Sequence, residues 1–412
     1  MFKRILGATA LVLLLSASPA VGTAAPTPPS AGDFGRLPAI SHVTLSPDGK
    51  QIAAIISPDG ASTYISVWKT DAMTEKPRVM SVSKLGGAHF VGVQFVKNDR
   101  MAITYQAYVP GSIADGSQHM FEATHTIMVS PDEKGGAQAE VMANSGIVNV
   151  AIRDLLPADP KRIVIAARGE LYTVNVYTGF AEVLERNSDK WDYSLDAKGQ
   201  PRVRCEFIGD NTDVAESCEA RASLDDAWQP LLTWRAKDRE PLSYVGDTDD
   251  PNVFLLRTDA GRERAAIVEY DIKAHKQLEV AFEHKLFEAG EPVFSNRTKD
   301  YGELIGFSYD ADTQRIYWMD GQFEALERNL RDALHINVVK IDWIDPSSGV
   351  KAKIDMVDDA DVSIVDYSND LSRVIVEKSG PSQPPEFYLL ADGKRLYLLG
   401  KAFPAIDPAS LG

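Results

Sequence analysis

The chain has 412 residues, 25% of them charged, with 43 Lys and Arg against 59 Asp and Glu, giving a formal net charge of −16. A hydrophobic fraction of 44% excludes a wholly disordered chain. The acidity argues against a nucleic-acid-binding surface.

The chain opens on an address. Lys3 and Arg4 precede the apolar run Ile5–Leu15, and small residues follow at Ser18-Pro19-Ala20 and Gly22-Thr23-Ala24. This three-part layout predicts a secretory signal peptide over 1–24, with a lead-in over 25–40. The rival is a retained N-terminal anchor, but the run is too short to span a bilayer as a stable helix. No later stretch is apolar enough to span, so the expected location is periplasmic or secreted, with no membrane span after signal removal.

Turn chemistry then sets the fold. Val43–Leu45, the turn Ser46-Pro47-Asp48-Gly49-Lys50 and Gln51–Ile56 read as strand, tight turn, strand. Six similar units follow. Val91–Val96 leads to Met101–Tyr105, Val150–Leu156 to Arg162–Ala167, and Trp191–Leu195 to Pro201–Phe207. Leu242–Val245 leads to Asn252–Arg257, Leu304–Tyr309 to Gln314–Trp318, and Val362–Tyr367 to Ser372–Glu377. The mean spacing from Lys50 to Ser372 is about 54 residues. Further strand-like runs stand at Thr63–Lys69, Thr124–Val129, Glu170–Tyr177 and Ala265–Tyr270. Four strands in each of seven units predict an all-β, seven-bladed β-propeller over 41–400, with a tail over 401–412. Blade seven is expected to supply its own outer strands from Phe387–Leu390 and Arg395–Leu399, so no N-terminal strand is needed to close the ring.

One segment breaks the β pattern. Asp320–Leu334 sets Phe323, Leu326, Leu330 and Leu334 at helical spacing among Glu324, Glu327, Arg328 and Arg331. It predicts an inserted amphipathic helix packed on the propeller wall; the other reading is a partner-docking helix. Cys205 and Cys218 flank the polar segment Glu206–Ser217, which reads as a turn or loop. In an oxidising compartment the pair predicts a disulfide, the alternative being two free thiols. Two Cys without a neighbouring His do not complete a tetrahedral metal set.

Catalytic motifs are absent from the sequence. A serine hydrolase elbow needs Gly-x-Ser-x-Gly, but the spacing Gly302–Gly306 is centred on Leu304. His42, His89, His119, His125, His275, His284 and His335 form no His-Glu-x-x-His or His-x-His pair. Asp249-Asp250 and Asp358-Asp359 fall in turn-like stretches and read as solvated turn residues. Asn296-Arg297-Thr298 is a glycosylation sequon. No catalytic, cofactor-binding or metal-binding residue is assigned, and no cofactor is expected.

The opening Leu37-Pro38-x-Ile40-x-x-Val43-x-Leu45-Ser46-Pro47-Asp48-Gly49-Lys50 resembles the start of secreted bacterial prolyl oligopeptidase-family serine peptidases. Ile65-Ser66-Val67-Trp68, the run Tyr317-Trp318-Met319-Asp320 with Phe323 and Leu326, and the ending Phe387–Leu390 with Leu396–Gly400 are similar to the same group. Ser-Pro-Asp-Gly turns also occur in other propellers, including TolB-like ones. The resemblance implies a propeller that caps an active site and filters substrates by size, followed by an α/β-hydrolase domain carrying Ser, Asp and His. Gly412 stands about where that domain would begin, so none of the family's catalytic residues is carried over. The resemblance therefore implies a non-catalytic substrate-gating propeller, with an α/β-hydrolase domain or subunit as partner and peptide in the channel. The alternative is a stand-alone periplasmic TolB-like scaffold for protein interactions, and a further one is a metal-dependent propeller enzyme.

Overall fold

The computed structural model describes residues 28–80, 89–112, 116–132, 139–140, 149–186, 190–209, 213–238, 241–346 and 348–411. The expected signal peptide over 1–24 lies outside them. A short helix, α1 (Ala31–Phe34), is closed by a reciprocal Ser30–Asp33 capping box in the lead-in. Seven antiparallel blade sheets follow in chain order, each starting with an inner strand, and among the described residues an eighth sheet of two strands stands between the last two blades.

Blade one is β1 (Ile40–Leu45), β2 (Gln51–Ile56), β3 (Tyr64–Lys69) and β4 (Arg78–Met80). Blade two is β5 (His89–Lys97), β6 (Arg100–Ser112), β7 (Gln118–Val129) and β8 (Ala139–Glu140). Blade three is β9 (Ala151–Asp154), β10 (Arg162–Ala167), β11 (Glu170–Asn175) and β12 (Ala181–Glu185). Blade four is β13 (Asp192–Leu195), β14 (Pro201–Ile208), β15 (Ala215–Ala220) and β16 (Gln229–Arg235). Blade five is β17 (Leu242–Asp247), β18 (Val253–Thr258), β19 (Ala266–Asp271) and β20 (Lys276–Phe282). Blade six has three strands, β21 (Glu288–Phe294), β22 (Leu304–Asp310) and β23 (Gln314–Trp318). The helix α2 (Gly321–Ala333) and a separate hairpin, β24 (Val338–Ile344) and β25 (Lys351–Val357), come before blade seven. Blade seven is β26 (Asp361–Tyr367), β27 (Arg373–Gly380), β28 (Gln383–Ala391) and β29 (Arg395–Lys401).

The turns after the inner strands of blades one and seven share one device. Ser46 Oγ donates to Asp48 Oδ1 and accepts from Gln51 N, and Ser368 does the same with Asp370 and Arg373. A buried hydroxyl thus satisfies backbone and carboxylate together, which is why Ser-x-Asp recurs there. Gly49 has φ +71° in its turn, and a Cβ on it would meet the Ser368 side chain at 2.9 Å. Glycine is needed at that position both for the backbone and for the approach of blade seven.

The core is a series of interfaces between blades. Ile55, Ile65 and Val67 of blade one pack on Phe95, Met101 and Ile103 of blade two. Ile52 and Ala54 of blade one pack on Ile375, Phe387 and Leu389 of blade seven, closing the ring. Fully burying one such isoleucine contributes about 1.5–3 kcal/mol, so side-chain packing carries the seam. One backbone bond, Ala39 N to Ala402 O at 2.7 Å, ties the lead-in to the segment after β29. Blade seven is built from its own four strands, as the sequence predicts, and among the described residues no lead-in strand joins its sheet.

The helix occupies the place predicted for it. Asp320 caps it by accepting from Gln322 N. Phe323 stacks on Trp318 of blade six and meets Tyr367 of blade seven edge-on. Leu330 and Leu334 bury against Val362, Val374 and Val376. The apolar stripe is therefore covered locally, by the wedge between blades six and seven.

Two local readings need correction. The Leu304–Tyr309 hairpin joins the second and third strands of blade six, because the inner strand is β21. Its sequence, Glu288-Ala289-Gly290-Glu291-Pro292-Val293-Phe294, carries Gly, Pro and two Glu, and its pairing is bulged between Ala289 and Pro292. That composition hides a strand. The segment between the cysteines is also more ordered than a loop. Glu206–Ile208 continues β14 and Ala215–Ser217 opens β15, so Cys205 and Cys218 are direct cross-strand partners. They are joined by a disulfide with a Cα separation of 4.1 Å.

Candidate functional site

The inner strands surround a cavity of about 640 Å³ along the propeller axis. Blade one contributes His42, Thr44 and Pro47, blade two Gly92, Gln94 and Thr104, blade three Ile152 and Arg153, and blade seven Val365 and Asp366. A second cavity of about 280 Å³ lies against blades four and five, lined by Asp196, Tyr244, Gly246 and Asp247. Both share Asp154, Asn296 and Tyr301.

Tyr301 comes from the turn between β21 and β22, and Asp154 ends the inner strand of blade three. The Tyr301 hydroxyl donates to Asp154 Oδ2 at 3.0 Å. This bond crosses the axis at the end where the inner strands finish and divides the two cavities. The turn that presents Tyr301 is held firmly. Ser295 Oγ donates to Asp300, buried Arg297 binds Asp300 and Asp320, and Asn296 N donates to the Tyr367 hydroxyl at 3.0 Å. Thr298 N donates to Asn369 of blade seven at 2.8 Å.

Carboxylates dominate the electrostatics of this end. Burial pushes the carboxyls of Asp154, Asp247 and Asp366 above their ordinary value. The charge of Asp196 adds to the rise at Asp154 and Asp247. Asp247 accepts from the Tyr244 hydroxyl at 3.0 Å, and its other oxygen is buried without a hydrogen-bond partner among the described residues. Asp366 joins blade seven to blade one: its Oδ2 accepts from Leu45 N at 2.7 Å and from Thr44 Oγ1 at 3.1 Å. Lys97 of blade two donates to the carbonyls of Leu155 and Leu156, and burial pulls its ammonium down to about 8.

The opposite end carries an arm. His89 at the start of β5 pairs with Gln106, but β6 and β7 continue pairing out to Ser112 and Gln118. The arm therefore projects past the start of the inner strand, away from Tyr301. It bears exposed Tyr108, Met120 and Phe121. Its base is fixed where Asn149 Oδ1 accepts from Thr124 N at 3.0 Å.

The histidines are scattered. His119, on the arm, contacts Ser117 Oγ at 2.7 Å, and His125 stacks on Tyr105. His284 stacks on both Phe287 and Tyr309 and accepts from Leu286 N and Phe287 N, a structural role. Only His42 lines the large cavity. A bulge in β1 gives it φ 50° and sets its Nδ1 3.3 Å from Ser41 Oγ. That contact is between chain neighbours, and no carboxylate orients the ring among the described residues. Asp249-Asp250 sits at the turn between β17 and β18, where Asp250 accepts from Asn252 N. Asp358 accepts from the Asn337 side chain, beside the hairpin β24–β25. The sequon residue Asn296 lines the channel, and Arg297 beside it is buried, so that turn is not a free surface loop. Sequence reading misses Tyr301 and Asp154; the signal available was the long turn Ser295–Gly302, concealed by the unrecognised β21.

Among the described residues no helix is long and apolar enough to cross a membrane. No family model matches the sequence, and no curated protein matches it. Among solved structures the chain is similar to a prolyl endopeptidase described for the role of inter-domain dynamics in catalysis and specificity. The two are 11% identical with a TM-score of 0.49, over 92% of this chain and 52% of that one. It is similar to prolyl oligopeptidase B from Galerina marginata, 11% identical with a TM-score of 0.49, over 91% of this chain and 52% of that one. It is also similar to the β-propeller domain of the trilobed protease from Pyrococcus furiosus, 9% identical with a TM-score of 0.43, over 89% and 99% of the two chains. The chain spans about half the length of the first two.

Proposed function

We propose that this chain is the substrate-gating propeller of a peptide-hydrolysing assembly that works in the periplasm or outside the cell. The bond-breaking chemistry belongs to an α/β-hydrolase domain or subunit, and the propeller admits peptides short enough to enter its channel. The observation that carries this reading is the axial cavity of about 640 Å³, crossed at one end by Tyr301 and Asp154, with the blade-two arm projecting from the propeller at the opposite end. A cavity of that volume suits a small ligand or short peptide. Acyl transfer needs an activated nucleophile, a base in reach and oxyanion donors. Ser41 and His42 alone do not supply that set.

The test uses the purified chain in two assays. With chromogenic peptides and a serine-reactive fluorophosphonate probe, no turnover and no covalent labelling are expected. In anisotropy titrations, short fluorescent peptides are expected to bind saturably, and Val365→Trp, which sets a bulkier side chain into the cavity, is expected to weaken that binding. Turnover with labelling, or peptide binding that Val365→Trp leaves unchanged, overturns the reading.

A further inference from the structure

Blade six ends differently from the others. Its sheet stops at β23, and β24 and β25 form a sheet of two strands only. Their ladder runs without a break from Val338↔Val357 to Ile344↔Lys351. Asp358 N donates to Asn337 O just before the first rung, and Asp345 N donates to Val350 O just after the last. Odd-numbered residues of β24 therefore turn their backbone groups into the hairpin, and Val338, Lys340, Asp342 and Ile344 turn theirs outward.

The two outer edges are not equivalent. Val357 N, on the outer edge of β25, donates to Asp312 Oδ2 in the turn between β22 and β23 at 2.7 Å. The β25 edge thus faces the propeller. At the other end Asp345 pairs with Arg264 of blade five, so the hairpin is pinned at both ends. Among the described residues no strand pairs with the outer edge of β24. The side chains of the same four residues stand on the exposed face: Val338 and Ile344 are 40% and 59% exposed, and Lys340 and Asp342 form exposed pairs with Asp355 and Lys353.

We propose that two copies of this chain pair through the outer edge of β24, antiparallel about a two-fold axis at Ile341. The sequence Val338-Val339-Lys340-Ile341-Asp342-Trp343-Ile344 is self-complementary about that centre. Lys340 falls opposite the second copy's Asp342, and Val338 opposite the second copy's Ile344. The outward backbone groups of these residues meet one another, so each rung exchanges two hydrogen bonds. Charge also alternates across the resulting four strands, in the order Asp355, Lys340, Asp342, Lys353, the last two from the second copy. Sliding the register by two residues either way sets Lys340 against Lys340 or Asp342 against Asp342, which like-charge repulsion disfavours. An isologous interface of this kind closes on itself and removes an edge that otherwise invites open-ended pairing.

The test is sedimentation equilibrium of the purified chain at concentrations up to roughly 100 µM, a range that reports a micromolar dissociation constant. A reversible dimer is expected. Asp342→Pro removes an outward N–H that the hairpin does not use, and Lys340→Asp sets Asp against Asp; each is expected to weaken the dimer at least tenfold while circular dichroism stays that of the wild type. Independently, Ile341→Cys places two thiols at the axis in a non-hydrogen-bonded pair, about 4.5 Å apart at Cα, and is expected to cross-link the copies on mild oxidation. A monomer at every concentration overturns the proposal. So does a dimer that neither substitution weakens and that Ile341→Cys does not cross-link.

Discussion

Replacing Asp366 by Ala tests how the ring is closed. Blades seven and one share no strand; near the channel Asp366 supplies the side-chain polar contact across their seam, beside the backbone bond from Asn369 N to Pro47 O at 2.9 Å. Its Oδ2 accepts from the buried Leu45 amide and the buried Thr44 hydroxyl, and its Oδ1 from Tyr367 N. Hydrogen bonds to a charged group are each worth about 1.5–3 kcal/mol, and a buried N–H left unpaired costs about 1–3 kcal/mol. Removing the carboxyl also relieves its own burial, which brings the expected loss to about 3 kcal/mol. The loss should be local first: hydrogen exchange at Leu45 N should speed up roughly a hundredfold, while amides of blade four stay unchanged. Denaturation in urea gives the total. A loss under about 1 kcal/mol, with Leu45 still protected, refutes the claim that this side chain holds the seam. The Asn substitution adds a pH signature. Burial holds the Asp366 carboxyl above its ordinary value, against the three donors that pull it down. A raised carboxyl binds its proton more tightly in the folded chain, so its contribution is complete below about pH 4 and is lost as pH rises through the folded value. Asn does not titrate, so the stability difference between wild type and Asp366→Asn should shrink from pH 4 upward.

The Tyr301–Asp154 bond across the channel should show as coupling. Tyr301→Phe is expected to lower stability by about 1 kcal/mol and to raise the Asp154 carboxyl further, and a double-mutant cycle with Asp154→Asn should give a coupling of about 1 kcal/mol in urea titrations; additive losses would show that the bond carries no energy. The disulfide joins residues 13 apart in sequence, and a loop of that length is worth about 3 kcal/mol on the chain-entropy account. The double variant Cys205→Ala and Cys218→Ala should lose about that much in thermal and urea unfolding, and a loss below about 1 kcal/mol would refute the account for this loop.

Most of the architecture is legible because it is local. A Ser-Pro-Asp-Gly turn between two short apolar runs specifies a hairpin within about a dozen residues, and the hairpin repeats at a near-constant interval. The helix is legible for the same reason: Asp320 caps it, and Phe323, Leu330 and Leu334 share one face. Blade six fails where local signals fail. Gly290 and Pro292 lower the strand propensity of β21, and the partner that holds it, β22, reads in the sequence as the inner strand itself. Strand identity there comes from the neighbouring sheet, through Ala289 and Phe307 packed on Leu255 and Ile267 of blade five.

The channel contacts lie beyond local reading for a different reason. Tyr301 and Asp154 are 147 residues apart, and Asp366 and Thr44 are 322 apart; each pair meets only because the ring returns on itself. No periodicity in either segment signals the other. What the sequence does carry is an excess of length: the turn after β21 runs Ser295–Glu303, where the turn after β1 runs Ser46–Lys50. In a repeat architecture an insertion maps to one face of the stack. The inner strands of blades six and three face each other across the axis, so residues added after β21 have the channel as their nearest unfilled volume. Arg297, buried against Asp300 and Asp320, spends a charged side chain on holding that turn rather than on solubility. A buried arginine fixed by two carboxylates is costly to desolvate, and that cost goes into fixing the turn that carries Tyr301. The position of the tyrosine is therefore a property of the turn, and of the channel that the other blades leave for it to cross.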